Sequence, residues 1–450
     1  MRIPSSPAAP AHRAAHQFVR AAGLVLACSA LAARARAQQA TVPTPVTLSG
    51  ELRARSEWDR PGGGAAEDVY TYLRTRLGVG ATPTDGVRLF FQLQDSRVYG
   101  VPTSAAAGNP DITDLHQAYV DLSTHWRATA VTTRVGRQEV AFGNERLVGP
   151  VGWSNTGRTF DGARVLLAPS QANGAAGANV PWSATLFVAT VEERGRHFGP
   201  AASPPAGGYP ADRAVAGAWL TRTKPAGTLD LTLLYDAGSK YRTYAESNRY
   251  TLDARFRTPA SAPVGIDAEA AWQGGTQTYE PSATTSVGQD VSAWLAGVRI
   301  GALPGGARTK TAFVGVDVLS GDATPANGSY HAFNTMYATN HPFYGLMDLF
   351  LDPAARTNDA GLVDVFGSAS TTAGVRTSLR ADVHRFAVQA GHAGEIGWEL
   401  DLVAPIRLSG AASLELGATT FRASAAAAAM GLGADGDYRH WGYLQLRAAF

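Results

Sequence analysis

Cysteine is almost missing from this chain, whose 450 residues contain only Cys28. Because Cys28 lies in the N-terminal segment, the rest of the sequence offers no disulfide, thiolate nucleophile or thiolate metal ligand. The spacings typical of phosphate-binding loops, dinucleotide folds, zinc sites and EF-hands are also missing, as is the Gly-x-Ser-x-Gly motif of hydrolases. We therefore expect no catalytic residues, no metal site and no cofactor.

Long apolar runs are also missing, since no stretch after residue 37 approaches the ~20 residues of a membrane-spanning helix. Residues 1–37 contain five arginines and no acidic residue, with an apolar run at 21–33 and Ala35-Arg36-Ala37 at the end. This order is typical of a cleavable secretory signal with an A-x-A site. We predict a signal peptide over residues 1–37, Sec-type export, and one mature domain over residues 38–450.

Lysine is scarce as well, and the basic residues are nearly all arginine. Without the five N-terminal arginines, 34 basic residues stand against 37 acidic ones, so the mature chain has a net charge near −3. A nucleic-acid-binding protein needs a concentrated basic excess, so we expect no nucleic-acid partner. Arginine suits the recognition of carboxylates, although a GC-rich genome would produce the same bias.

What the sequence does contain is a two-residue alternation that begins near residue 46. Val46, Leu48 and Leu52 alternate with polar residues, and Trp58 follows at the end of this first segment. Several segments exceed the usual ~5–6 residues of a soluble strand and reach the ~9–11 of a tilted membrane strand. Eighteen strands are predicted: 46–58, 69–81, 86–97, 112–122, 130–140, 158–168, 181–191, 214–223, 228–236, 247–257, 264–273, 291–301, 308–319, 360–367, 375–388, 395–404, 411–421 and 439–450.

The connections between these strands alternate in length. Short turns follow most even-numbered strands, and the odd-numbered ones are mostly followed by long loops at 98–111, 141–157, 192–213, 274–290, 320–359 and 422–438. Two connections fit poorly, since 169–180 is too long and 389–394 too short. An even strand number with short turns on one rim and long loops on the other is the outer-membrane arrangement. We predict an all-β, closed, antiparallel transmembrane barrel of about eighteen strands.

Aromatic residues near strand ends support this prediction, because interfacial girdles require them. The predicted girdle residues are Trp58, Tyr235, Trp272 and Phe421. The competing hypothesis is a secreted soluble β-protein such as a carbohydrate-active enzyme. The barrel hypothesis and the soluble hypothesis differ in the direction of seven apolar side chains, which point outward in a membrane barrel and inward in a soluble protein. These residues are Leu48, Leu52, Leu77, Val79, Leu252, Phe256 and Ile266.

Three stretches of this sequence contain specific motifs. The first contains VGRQE at 135–139, FGNERLVGP at 142–150 and WSNTGRTFDG at 153–162. The second contains LSGD at 319–322, FNTMY at 333–337 and NHPFYGLMDLF at 340–350, and the third DVHRF at 382–386 and GWELDL at 397–402. These stretches resemble the alginate export family of bacterial outer-membrane porins. The resemblance implies a monomeric, eighteen-stranded porin and the export of an acidic polysaccharide such as alginate. Uptake of a small nutrient is the alternative within the same fold.

The polar face of each strand is assigned to the lumen, which places ten arginines of interest there: Arg53, Arg55, Arg74, Arg76, Arg88, Arg249, Arg255, Arg257, Arg299 and Arg447. Those on the first three strands, with Arg447 next to them through closure, form a predicted basic sector suited to guiding anions. Acidic residues assigned inward nearly balance the arginines. Mutual pairing of lumen charges is therefore the other interpretation.

Long loops supply the remaining candidates. Glu145, Arg146, Asn155 and Arg158 lie in a glycine-rich loop that either narrows the pore or braces the wall. His341 and Asp348 lie in the 320–359 loop, where a packed plug is favoured over a calcium site or acid–base pair. The expected partners are an anionic or polar small solute or polysaccharide, outer-membrane lipid and lipopolysaccharide, and the barrel-assembly machinery. An enzymatic or adhesive role for the loops is the less favoured alternative.

Overall fold

A computed structural model describes residues 45–62, 66–100, 112–169, 182–192, 213–241, 244–282, 285–302, 309–324, 328–391 and 394–450. The predicted signal peptide, and most of the loops at 98–111 and 192–213 and of the connection at 169–180, lie outside these residues. In the part that the structure describes, the chain forms one closed antiparallel barrel with almost no helix. This confirms the predicted fold class.

Eighteen strands form the barrel wall, and a nineteenth, two-residue strand (β14) lies inside a loop. The strands are β1 (Val46–Arg60), β2 (Asp68–Thr84), β3 (Val87–Tyr99), β4 (Ile112–Trp126), β5 (Thr129–Gln138), β6 (Phe160–Pro169), β7 (Ser183–Glu192), β8 (Arg213–Lys224), β9 (Gly227–Tyr241), β10 (Tyr244–Arg257), β11 (Val264–Ser282), β12 (Thr285–Ala302), β13 (Thr309–Leu319), β14 (Ser329–Tyr330), β15 (Leu362–Thr372), β16 (Ser378–Val388), β17 (Glu395–Arg407), β18 (Ala412–Ala423) and β19 (Tyr438–Ala449).

The ring closes between the first and last strands. β1 pairs antiparallel with β19, with Leu52 opposite Ala448, and with β2 on its other side. Gly50 and Phe450 exchange two backbone hydrogen bonds at 3.0 and 3.1 Å. β13 pairs directly with β15, whereas β14 makes a two-residue parallel contact with β12. Closure satisfies the backbone groups that an open sheet edge would leave unpaired, which a membrane requires.

The apolar face of the wall points outward. All seven diagnostic side chains are exposed on the outer surface; Leu48, for example, is 64% exposed and Leu252 51%. A soluble protein would bury these residues, so the barrel hypothesis is confirmed and the soluble β-protein hypothesis is wrong. Trp58 and Trp272 are also exposed, as an interfacial girdle requires. Phe421 is not: it shares the inward face of β18 with Thr419 and is fully buried, so its assignment to the girdle was wrong.

Short turns gather at one end of the barrel, which we call the turn rim, and the longer connections lie at the other, the loop rim. Arg127-Ala128 joins β4 to β5, and Pro225-Ala226 joins β8 to β9 at the turn rim. The predicted long loop at 274–290 was wrong, because β11 and β12 continue through most of it. In this part the outward positions carry polar residues such as Thr276 and Asp290, and the inward Gln277 and Gln289 are buried, so apolar alternation is missing there.

Among the described residues, helices are limited to two short elements inside loops, α1 (Pro353–Arg356) and a 3₁₀ helix (Ala425–Met430). Asp352 caps α1, since its side chain accepts a hydrogen bond from the backbone N–H of Ala355. No helix in the described residues is both long and apolar enough to cross a membrane.

Candidate functional site: the lumen and its two inner loops

Two long connections from the loop rim fold into the barrel and contact each other. Inner loop A is residues 139–159, between β5 and β6, and inner loop B is the described residues 320–324 and 328–361, between β13 and β15. The N–H of Gly149 donates to the carbonyl of Tyr337 at 2.9 Å, and the N–H of Tyr337 donates to the carbonyl of Leu147 at 3.0 Å. Val148 and Tyr337 thus form a parallel β-bridge that joins the loops inside the lumen.

An apolar core holds these loops in place. Phe142 and Val148 of loop A and Phe333 and Phe350 of loop B are all nearly fully buried and belong to one cluster with wall residues such as Phe386. Phe350 packs on Phe386 with ring centroids 4.7 Å apart. A core of this kind inside a barrel indicates that the loops are packed elements of the fold. It supports the predicted plug-like packing of the 320–359 loop.

On one side of the lumen, loop A lies against arginines of β1 and β2. Arg53 donates to the carbonyls of Gly152 and Ser154, both at 2.8 Å, and Arg74 donates to the same two carbonyls at 3.0 and 2.9 Å. Arg55 donates to the carbonyl of Trp153 at 2.7 Å. The three arginines lie on the inward face of their strands. Inner loop A covers them, however, and leaves each at most 4% exposed.

The ring of Trp153 is stacked between the wall and loop B. The guanidinium carbon of Arg55 lies 3.8 Å from the Trp153 ring centre on one side. The imidazole of His341 stacks on the same ring at a centroid distance of 4.0 Å, with the planes 7° apart. His341 Nδ1 is hydrogen-bonded to Asp348 at 2.8 Å. The pair considered for acid–base chemistry is therefore part of a contact that links β1, loop A and loop B.

On the other side of the lumen, the loops meet carboxylates. The guanidinium of Arg146 lies 3.0 Å from Glu269 on β11 and 3.0 Å from Asp317 on β13. The backbone N–H of Met347 donates to Glu399 at 2.8 Å, and that of Leu346 donates to Asp401 at 3.2 Å. Loop B thus turns amide groups toward carboxylates, whereas loop A turns carbonyls toward arginines.

The other three loop A candidates also hold the loops. Arg158 donates to the carbonyls of Gly149 and Ala338 and makes a shorter contact with that of Tyr337. Burial lowers the pKa of Arg158 from its ordinary value. Asn155 donates to the carbonyl of Arg97 at 3.1 Å. Glu145 adopts a positive φ of 66°, and its carbonyl accepts from the N–H of Thr339 at 2.9 Å. These contacts favour the bracing role over direct contact with a solute.

Tyr337 and Asn144 contribute contacts that sequence reasoning did not identify. The Tyr337 hydroxyl donates to Asp236 on β9 at 2.7 Å. Burial, followed by the negative charge of Asp236, raises the pKa of Tyr337, which keeps the hydroxyl protonated as a donor. Asn144 donates to Glu269 at 2.6 Å. Their partners lie about a hundred residues away in the chain, so no local pattern could have indicated these roles.

The remaining predicted pore-lining arginines differ in exposure. Arg249 is buried and donates to Gln277, while Arg76 and Arg255 are largely covered and pair with Glu139 and Asp267. Four arginines in the half of the lumen nearest the turn rim are accessible: Arg88, Arg257, Arg299 and Arg447. Arg380 lies in the same half and is also exposed.

A cavity of about 220 Å³ remains beside inner loop B. Asp236, Arg249 and Asn340 are among the residues that line it, so its surface carries both charges and an amide. Within the described residues, no three histidine or acidic side chains are arranged to hold a metal ion.

Comparison with known families and structures agrees with this geometry. Residues 44–190 match the family model described as alginate export, which includes the first stretch on which the resemblance was based. No curated protein matches the sequence significantly.

Solved structures with the same fold are outer-membrane porins. OccK2 (OpdF) of Pseudomonas aeruginosa aligns with a TM-score of 0.56 at 11% identity, over 90% of this chain and 97% of that one. OccAB4 of Acinetobacter baumannii aligns with a TM-score of 0.55 at 10% identity, over 91% and 99%. A further structure of OccK2, in complex with glucuronate, aligns with a TM-score of 0.55 at 11% identity, over 90% and 98%. The chain thus shares the closed-barrel fold of these proteins, and its outer surface carries an apolar band.

Proposed function

We propose that this outer-membrane barrel, similar to alginate export proteins over its first third and to porins in its fold, is an anion-preferring diffusion channel. The observation that carries the proposal is the orientation of the ion pairs in the lumen. Arg257 is 43% exposed while its partner Asp230 is 2% exposed, and Arg447 is 55% exposed while its partner Glu51 is 12% exposed.

Two further pairs have the same orientation. Arg299 and Arg380 are more exposed than Asp317 and Asp382, the carboxylates beside them. At these four pairs a passing solute meets the guanidinium before the carboxylate, whereas the pairs Arg255–Asp267 and Arg76–Glu139 have the opposite orientation. Arginine presents donors that match a carboxylate or phosphate, and charges within ~8–10 Å act together at physiological salt. The accessible surface thus favours anions.

The inner loops limit the size of the solute. They are packed around buried aromatic residues across the lumen, so a small polar acid fits the remaining space better than a polymer. A related channel structure contains glucuronate, and a monomeric sugar acid of this kind is the solute class that we propose. Passage needs no covalent chemistry, and we infer that the chain is not an enzyme.

Export of an acidic polysaccharide is the second candidate. The match of residues 44–190 to the alginate export family supports it. A polymer requires more space than the packed loops leave, so this function requires loops A and B to move away from the lumen axis. The two candidate functions can be separated by measuring how strongly uronate monomers and uronate oligomers inhibit the conductance. Inhibition by monomers favours a channel for small acids, and inhibition by oligomers favours polysaccharide export.

The proposal includes the parts of the chain and its surroundings that were expected from the sequence. Residues 1–37 are removed as a signal peptide, and the mature chain inserts as a monomer in contact with lipopolysaccharide through the barrel-assembly machinery. A ring that closes on itself requires no strand from a second copy. Intact-mass measurement of the purified protein tests the cleavage site.

Ion selectivity in planar bilayers tests the main proposal. The variant Arg257→Gln with Arg447→Gln removes two accessible charges from the lumen, so the anion-to-cation permeability ratio should fall, most strongly at low salt where screening is weakest. Arg385→Gln is the matched control, because Arg385 is 53% exposed but lies on the outer face with Trp398. No conductance at any salt or voltage would overturn the channel, and an unchanged ratio in the double variant would overturn the anion preference.

A further inference from the structure

The walls of the lumen carry opposite charges where the inner loops meet them. Inner loop A directs the carbonyls of Gly152 and Ser154 at Arg53 and Arg74. On the far side, the carboxylates of β11, β13 and β17 receive backbone amides and one guanidinium. The loops therefore do more than narrow the lumen, because they also determine which wall charges reach the solution.

Arg146 is the positively charged group that loop A places against the acidic wall. Both carboxylate oxygens of Asp317 accept from it, at 3.2 and 3.0 Å, and Glu269 lies 3.0 Å from it. The hydroxyl of Tyr344 lies 3.1 Å away, and the ring of Phe343 stacks on the guanidinium at 4.2 Å. All of these partners are more than a hundred residues away, so the contact depends on the folded lumen.

The two carboxylates lie next to the accessible part of the lumen. A small cavity of about 10 Å³ is lined by Arg146, Glu269, Asp317 and the neighbouring Arg299. Arg299 lies 3.7 Å from Asp317 and is 29% exposed, whereas Asp317 is 1% exposed. Arg146 and Asn144 thus line the same small cavity as the two carboxylates and the partly exposed Arg299.

We infer that Arg146 is a specificity-determining residue that covers Asp317 and Glu269 and thereby keeps the lumen anion-preferring. Without its guanidinium, two carboxylates would face the same space as Arg299 and act over the same Debye length. The local field would then change from positive toward negative, and rings of acidic side chains favour cations in pores. The inference rests on the proposed function, since it concerns the selectivity of that channel.

The test compares two arginines of the same loop, Arg146, which is buried, and Arg158, which is half-buried. Arg146→Gln removes a charge that faces carboxylates, whereas Arg158→Gln removes one that faces backbone carbonyls. Both changes loosen loop A, but only the first uncovers acidic groups. We expect Arg146→Gln to lower the anion-to-cation permeability ratio roughly threefold or more at low salt, and Arg158→Gln to leave it close to the wild-type value.

A second change separates charge from loop position. Adding Asp317→Asn to Arg146→Gln removes one uncovered carboxylate, so the ratio should return toward the wild-type value while the loop stays loosened. Arg146→Lys keeps the charge but loses the fork that binds both carboxylates, and we expect an intermediate ratio. If neither variant changes the ratio relative to Arg146→Gln, Arg146 acts through loop packing alone and the inference is wrong.

Two outcomes separate this inference from the proposed function. A wild-type channel without anion preference would contradict the proposed function, whereas an anion-preferring wild type with equal ratios in Arg146→Gln and Arg158→Gln would contradict the inference alone. If Arg146→Gln does not assemble, Glu269→Gln in the otherwise unchanged protein decides, because Glu269 pairs with Arg146, whereas Asp317 also pairs with the accessible Arg299. A covered carboxylate contributes little to the field in the lumen, so the anion-to-cation permeability ratio should stay at the wild-type value. A clear rise in anion preference would overturn the inference.

Discussion

At Arg53 and Arg74 the guanidinium groups lie against main-chain oxygens of inner loop A, whereas Arg257 and Arg447 extend into the open part of the lumen. All four belong to the set predicted from strand alternation to face inward. Alternation indicates the face of a strand, but it does not indicate what covers that face. Exposure depends on a loop whose sequence is separate from the strands, and this is why the predicted basic sector could not be divided into covered and accessible arginines.

The covered arginines should affect loop position more than selectivity. Arg53→Gln with Arg74→Gln removes four hydrogen bonds to the carbonyls of Gly152 and Ser154, each worth about 1.5–3 kcal/mol when a charged group donates. We expect larger and noisier single-channel conductance, because loop A is less firmly held. The anion-to-cation ratio should change less than in Arg257→Gln with Arg447→Gln. An equal or greater loss of anion preference would show that Arg53 and Arg74 contact permeating ions.

At the scale of elements, inner loop B approaches β17 closely at Gly345. This residue has a φ of +88°, which side chains with a Cβ rarely adopt, and a Cβ at that position would meet the carboxylate of Glu399. Glycine lets the chain come near enough for the N–H of Met347 to reach Glu399 at 2.8 Å. The position of loop B therefore depends on one glycine as well as on the apolar core.

Replacing this glycine should displace loop B. We expect Gly345→Ala to cost about 1–3 kcal/mol from backbone strain and to make residues 343–350 accessible to protease from the outside. The control is Gly374→Ala, because a Cβ at Gly374 meets open space in the turn between β15 and β16. Limited proteolysis of protein reconstituted in vesicles measures the difference. Equal protection in the two variants would contradict the proposed dependence on Gly345.

The strands were predicted better than the loops for a physical reason. A lipid-facing wall imposes apolar residues at every second position, so the pattern in each strand is local and all eighteen wall strands were found. The prediction failed at 274–290, where β11 and β12 leave the apolar band and the pattern is no longer imposed. The contact between Arg146 and Tyr344 joins residues 198 positions apart. Such long-range contacts leave no periodic pattern in the sequence from which they could be predicted.

For the whole molecule, the apolar outer band predicts how tolerance to charge varies with depth. Leu52 lies near the middle of β1 on its outward face, and Val46 begins the same strand at the turn rim. An arginine near the middle of the bilayer should cost about 2–4 kcal/mol, against roughly 0–1 near the interface. We therefore expect Leu52→Arg to lower the free energy of unfolding in lipid vesicles much more than Val46→Arg. Equal losses would mean that β1 does not span the bilayer at this depth.

The covering of Arg53, Arg55 and Arg74 by inner loop A also has a consequence for the order in which the barrel forms. These arginines lie on neighbouring strands β1 and β2, while the carbonyls that bind them lie about 80 to 100 residues later in the chain. Glu51 lies 2.7 Å from Arg74 and Glu57 lies 2.6 Å from Arg55, so part of this charge is neutralised before loop A arrives. Arg53 and Arg74 still stand opposite each other in the hairpin. Contacts so distant in sequence form slowly, since closing the intervening chain costs entropy before they stabilise it. The first hairpin should therefore remain unstable until strands beyond β5 are in place, so folding from the N-terminus alone would be inefficient and the two inner loops would dock late.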